Sequence, residues 1–204
     1  MERVSARRAV RSAPKNLLSD TISTMTRDQL ARRIAEIAVL RGSFTLRSGR
    51  TSNYYIDKYL FCTEPEILAA LGRMFTERLP ARTVRLAGAE LGGIPLVSAT
   101  SLASGLPCVF VRSAKKEYAT AKQIEGTLNR NDQVVIIEDV ATTGGQAIEA
   151  ATLIDGAGAK VTTIIVAIDR QEGARANVEA AGYAFDALFT TDDLGIEKEV
   201  QGRG

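Results

Sequence analysis

The apolar positions of this chain follow two periods that take turns. Leu30, Ile34, Ile37 and Ala38 recur at helical spacing and predict an amphipathic helix over residues 26–40, closed by Gly42. Over residues 43–57 glycine, serine and threonine interleave with aromatics, which predicts a strand-turn-strand unit. Thr63 is placed to cap a helix that has Pro65 near its first position and runs to about residue 79. Strand-like and helical runs then alternate. Residues 84–89 precede a helix near 96–103, and 106–112 precede a polar stretch reaching 126. The apolar run 134–137 precedes a helix to about 156, 161–168 precedes a helix over 172–181, and 185–189 is short and extended. This alternation predicts an α/β fold with a doubly wound, mainly parallel central sheet flanked by helices. No internal repeat and no second domain is visible, so residues 25–204 read as one domain.

Composition refines that picture. With 45% hydrophobic residues in 204, the chain can build a continuous core. A net charge of +2 does not advertise a polyanionic partner, so no nucleic-acid surface is expected. The charge is uneven, however: residues 1–24 carry Arg3, Arg7, Arg8, Arg11 and Lys15 against Glu2 and Asp20. Three readings fit this start: a basic, disordered extension, an organellar targeting segment, or sequence upstream of a start at Met25. The strong helix just after Met25 favours the first and third. No apolar run reaches the roughly eighteen residues of a membrane span, so no membrane association is expected. Cys62 and Cys108 have no metal-site or C-x-x-C spacing and read as reduced thiols of a cytoplasmic protein. Histidine is absent, which excludes a His-dependent triad and a His-ligated metal.

The most informative segment is Val134-Val135-Ile136-Ile137-Glu138-Asp139-Val140-Ala141-Thr142-Thr143-Gly144-Gly145. A buried strand ends in two carboxylates, a Thr-Thr-Gly-Gly turn follows, and a helical pattern opens at Gln146. In open α/β sheets ligands bind outside the carboxyl ends of strands. Hydroxyls and N–H groups converging at a helix start suit a phosphate, while paired acids suit sugar hydroxyls or a divalent cation. The segment has neither the Walker lysine nor the dinucleotide-binding glycine spacing. The combined reading is a phosphorylated sugar, its phosphate at the turn and its ribose at Glu138 and Asp139.

Four more blocks stand out. The block Phe44-Thr45-Leu46-Arg47-Ser48-Gly49-Arg50-Thr51-Ser52-Asn53-Tyr54-Tyr55-Ile56-Asp57 gathers two guanidinium groups, hydroxyls and an aromatic pair. Glu90-Leu91-Gly92-Gly93 lies between a strand and a helix, where backbone amides suit an anion and glycines equally suit a plain turn. The polar stretch from Arg112 to Gly126 carries Lys115, Lys116 and Tyr118. Asp169-Arg170-Gln171-Glu172-Gly173 brings Arg170 to the carboxyl edge of the sheet.

Taken in order, these blocks resemble the type I phosphoribosyltransferases, and within them the orotate phosphoribosyltransferases, over about residues 26–196. The resemblance implies a small hood built mainly from the N-terminal part. It implies transfer of 5-phosphoribosyl from PRPP to orotate in pyrimidine biosynthesis, with Mg²⁺ bound through PRPP and water rather than by a direct protein ligand. PRPP would be held by Glu138, Asp139, Val140, Ala141, Thr142, Thr143, Gly144, Gly145 and Gln146, with Arg112, Lys115, Lys116 and Tyr118. Glu90, Leu91, Gly92 and Gly93 would form the diphosphate loop, in which some members place a lysine where Gly92 stands. Orotate would meet Arg47, Tyr54, Tyr55, Thr142 and Arg170, and Lys116, Arg112 and Asp139 would be catalytic. The resemblance also implies a homodimer with shared active sites. The chain departs from the pattern at Ser113 (usually lysine), Tyr118 (usually histidine), and Ala119 and Ala121 (usually glycine). Two alternatives stand beside the orotate reading: a phosphoribosyltransferase for another base, and a non-catalytic PRPP-binding regulator.

Overall fold

A capping box starts the first helix: Thr26 Oγ1 accepts from Gln29 N at 3.2 Å, and Gln29 Oε1 accepts from Thr26 N at 2.8 Å. The structure, a computed structural model, describes residues 25–45, 51–113 and 123–196. Helix α1 (Arg27–Ala38) buries Leu30, Ala31, Ile34 and Ala38. It stops short of the expected Gly42, because Val39 is already extended (φ −89°, ψ 102°) and opens β1 (Val39–Thr45). Gly42 lies where the pairing register shifts between Arg41 and Phe44. β1 pairs antiparallel with β2 (Thr51–Ile56), so the strand-turn-strand expectation holds.

Two helices follow where one was expected. Asp57 Oδ1 accepts from Tyr59 N at 3.0 Å and caps α2 (Lys58–Cys62). Thr63 is not the cap of the next helix; it closes α2, its hydroxyl donating to Tyr59 O at 2.6 Å. Glu64 takes the cap position of α3 (Pro65–Glu77), and Pro65 stands in its first turn, where a missing N–H costs nothing.

The main sheet has strands β3 (Arg85–Ala89), β4 (Cys108–Val111), β5 (Ile124–Glu125), β6 (Gln133–Ala141), β7 (Lys160–Asp169) and β8 (Ala184–Thr190). Their spatial order is β5-β4-β3-β6-β7-β8, parallel except for β5. Helices α4 (Gly93–Ser104), α5 (Gly145–Gly156) and α6 (Ala174–Ala180) connect them.

Side-chain alternation along β6 sends Val135 and Ile137 to one core with Ile34, Leu71, Phe75 and Leu96. Val134 and Ile136 go to the opposite core with Ala147, Ala151, Ile154 and Val178. Each such fully buried aliphatic side chain contributes about 1.5–3 kcal/mol, which is why a strand closed on both faces carries so unbroken an apolar run.

From β3 the chain crosses outward to β4; from β6 it proceeds the other way to β7 and β8. The carboxyl ends of β3 and β6 therefore flank the point where the connections diverge, and there an open sheet leaves a crevice for ligands. No helix among the described residues is long and apolar enough to cross a membrane.

Candidate active site

After Ala141 the chain turns through Thr142, Thr143 and Gly144 into α5. Gly144 is left-handed (φ +79°), and a Cβ there would stand 2.9 Å from Val178 Cγ2, so both conformation and space require glycine. Asn177 Nδ2 donates to Thr143 O at 2.9 Å and ties the turn to α6. The first-turn N–H groups of α5 lack intrahelical partners and face an anion favourably. A cavity of about 560 Å³ opens over this turn. Its walls include Tyr55, Lys58, Glu138, Asp139, Val140, Ala141, Thr142, Thr143, Gly144, Gly145, Gln146 and Arg170.

Glu138 and Asp139 are almost wholly buried, at 4% and 1% exposure. Asp139 Oδ1 accepts from Val140 N at 2.5 Å, and Oδ2 lies 2.8 Å from Lys58 Nζ. Glu138 Oε2 has no hydrogen-bond partner among the described residues. Burial, then the charge of Asp139, raises the Glu138 carboxyl well above the usual carboxylate range, to about 8. Burial works to lower the Lys58 ammonium, yet the charge and hydrogen bond of Asp139 outweigh it and leave Lys58 raised. The pair is thus one buried carboxyl with an oxygen unpartnered among the described residues beside one paired with an ammonium.

Across the switch point, residues 90–93 join β3 to α4. Gly92 lies against the acids: a Cβ added there would collide with Asp139 Oδ2. The Glu90 carboxylate accepts from Ser113 N at 2.8 Å and Ser113 Oγ at 2.6 Å, and these bonds lower it. Gln146 Nε2 donates to Glu90 O at 2.9 Å, linking this loop to the start of α5. Arg112 reaches Glu90 at 3.9 Å and Glu125 at 3.8 Å. It lines a second cavity of about 380 Å³ together with Glu90, Ser113 and Gln146. In the described arrangement Arg112 therefore faces a neighbouring space rather than the main cavity.

On the far side, Arg170 Nη2 donates to Tyr54 Oη at 3.0 Å, and its guanidinium stands 4.8 Å from the Tyr54 ring centre. Arg170 Nε lies 2.9 Å from Glu172 Oε1. Tyr55 lines the cavity at 39% exposure, its ring 5.8 Å from Phe44.

The fold thus gathers the acids, the whole Thr-Thr-Gly-Gly turn, Gln146, Tyr55 and Arg170 around one cavity, with Gly92 abutting it. Arg47, Lys115, Lys116 and Tyr118 lie outside the described residues. Sequence reasoning missed Lys58. Its one signal was adjacency to Asp57, whose side chain caps the short helix that carries the lysine inward.

Among the described residues no three histidine, cysteine or carboxylate side chains cluster as a metal site. Two buried carboxyls with hard oxygens would suit a Mg²⁺ ion held through water and substrate oxygens.

A family model described as "Phosphoribosyl transferase domain" matches residues 64–181. The orotate phosphoribosyltransferase of Haloquadratum walsbyi is 44% identical over 177 residues, which cover 87% of this chain and 96% of that protein. The crystal structure of Mycobacterium tuberculosis H37Rv orotate phosphoribosyltransferase superposes with a TM-score of 0.75 at 29% identity, covering 83% of this chain and 98% of that one. The same enzyme in complex with PRPP superposes with a TM-score of 0.69, also at 29% identity. The chain belongs to the phosphoribosyltransferase family, and within it to the orotate phosphoribosyltransferases.

Proposed function

We propose that the protein transfers the 5-phosphoribosyl group of PRPP to orotate, yielding orotidine 5′-monophosphate and diphosphate. The observation that carries this is one crevice offering a phosphate turn, a buried acid pair and an arginine–tyrosine stack on three sides of a cavity. The 5′-phosphate occupies the turn of Thr142, Thr143, Gly144 and Gly145. The ribose hydroxyls donate to Asp139 and share hydrogen bonds with Glu138. Arg170, supported by Glu172 and Tyr54, meets the orotate carboxylate, and Tyr55 covers the ring.

In the reaction the C1′–O bond to diphosphate breaks, a C1′–N bond to the base forms, and the N–H proton of the base passes to the departing diphosphate or to water. Negative charge grows on the leaving group, so the protein's contribution is charge preorganised at the diphosphate. The backbone of residues 90–93 supplies one wall of that subsite. Lys116, Arg112, Lys115, Arg47 and Tyr118 take the roles the family pattern gives them. Glu138 and Asp139 would hold Mg²⁺ through water and substrate, and the ion would supply further charge neutralisation at the leaving group. The working form is a homodimer with shared active sites, residues 25–204 acting as one domain behind a basic extension. The two free thiols, Cys62 and Cys108, suit the reducing cytoplasm. No feature of the described site favours another base or a purely regulatory role.

Orotate absorbance is the test. Mixed with PRPP and Mg²⁺, the protein should consume orotate and leave uracil, adenine, guanine and xanthine untouched. Turnover of another base instead of orotate, or PRPP binding without any turnover, would refute the proposal.

A further inference from the structure

Residues 90–93 meet an anion with backbone alone, since their side chains are one acid, one leucine and two glycines. A diphosphate carries several negative charges, and charge-assisted bonds are roughly twice as strong as neutral ones. The cations lining the cavity among the described residues are Lys58 and Arg170. Arg170 is engaged by Tyr54 and Glu172 on the base side. Lys58 is the one beside the loop: its Cδ lies 3.2 Å from where a Cβ of Gly92 would stand. The lysine stem thus crosses bare backbone that any side chain at position 92 would obstruct.

The ion pair is also lopsided. The Asp139 side chain is 1% exposed, whereas that of Lys58 is 26% exposed and faces the cavity. A carboxylate so buried needs a partner, while an ammonium at the rim is free to exchange one anion for another.

We propose that Lys58 is a cation of the diphosphate subsite: it holds Asp139 in the free chain and turns to the diphosphate of PRPP when the ribose hydroxyls take over that carboxylate. This rests on the reading of the cavity as a PRPP site. The exchange leaves no charge unpaired, because Asp139 gains hydroxyl donors as the ammonium gains phosphate oxygens. It needs only side-chain rotation, since the Lys58 stem already lies against both Asp139 and the backbone at Gly92.

Calorimetric titration of the full chain with PRPP, inorganic diphosphate and ribose 5-phosphate tests this in wild type, Lys58→Met and Lys58→Arg. Lys58→Met should weaken PRPP and diphosphate by about tenfold or more, the loss of one charged partner. Ribose 5-phosphate, which lacks the diphosphate, should change by less than about threefold. Lys58→Arg should recover most of the loss. If Lys58→Met does not fold, Lys58→Gln carries the comparison. Equal weakening of all three ligands would reduce Lys58 to a prop for Asp139 and overturn the proposal, as would unchanged diphosphate affinity. A wild type that binds none of the three would instead contradict the PRPP reading, and this proposal with it.

Discussion

Two strand-to-helix turns meet at the switch point of this sheet, and both contain a glycine pair. The turn after β6 is self-contained: hydroxyls, a left-handed Gly144 and the start of α5 follow one another within a few residues. The turn after β3 is assembled from distant parts. Its backbone comes from residues 90–93, its hydrogen-bonded supports from Ser113 and Gln146, and its nearest cation from α2. Glycine serves opposite ends in the two. Gly144 provides a conformation that L-residues resist, whereas Gly92 has ordinary helical angles (φ −73°, ψ −25°) and provides empty space. A dianionic phosphate ester is satisfied by amides and hydroxyls at a helix start. A leaving diphosphate needs positive charge that can turn to meet it, which a side chain on another element can supply.

Substitutions of the two glycines should separate these roles. Gly92→Ala drives a methyl group into Asp139 and displaces Lys58, so kcat/KM should fall by about a hundredfold, the scale of a misplaced transition-state contact. Its melting temperature should fall as well, because the methyl group breaks into the buried Asp139–Lys58 pair, so the deciding readout is activity at temperatures where the variant is still folded; normal activity there would reverse the assignment.

Gly144→Ala should instead show first in stability. The left-handed conformation and the contact with Val178 together cost about 1–3 kcal/mol, measurable by urea unfolding. A neutral effect there would mean the turn readily adopts another shape.

A third expected effect, read as a slope with pH rather than as a single loss, concerns the acids between the two turns. Glu138 is raised from an ordinary carboxyl value to about 8 by burial. Its contribution to stability is present below about pH 4.5 and is lost as pH rises toward 8, because the folded state holds a proton that the unfolded chain has released. Stability should therefore decline across that window, by at most about 1.4 kcal/mol per pH unit. Glu138→Gln, which mimics the protonated acid, should remove the decline and retain PRPP binding. If the slope persists in that variant, Glu138 is ionised in the folded protein.

The difference between the turns also explains what could be read from the chain before folding. The β6 turn was legible because strand, acids, hydroxyls and glycines are consecutive, so local chemistry and function coincide. The alternation of strands and helices was equally plain, since apolar runs such as 134–137 are closed on both faces. Lys58 was not legible. Its helix has five residues, too few for any period to register, and its importance depends on a missing side chain at position 92 and a carboxylate at 139. The misplaced boundaries at Gly42 and Thr63 have a related cause. Val39 entered a strand because β2 was available to pair with it, and Thr63 was already engaged in closing α2. Arg112 pairs with Glu90 and Glu125 beside the neighbouring cavity, a placement that its residue type alone does not foretell.

The most direct measurement is a crystal structure of this protein with PRPP bound. The account predicts the 5′-phosphate on the N–H groups and hydroxyls of residues 142–145. It also predicts the diphosphate against residues 91–93, with Lys58 Nζ within about 3 Å of a diphosphate oxygen and released from Asp139. A diphosphate seated on the 142–145 turn, or Lys58 still paired to Asp139 with the loop holding its anion alone, would contradict it.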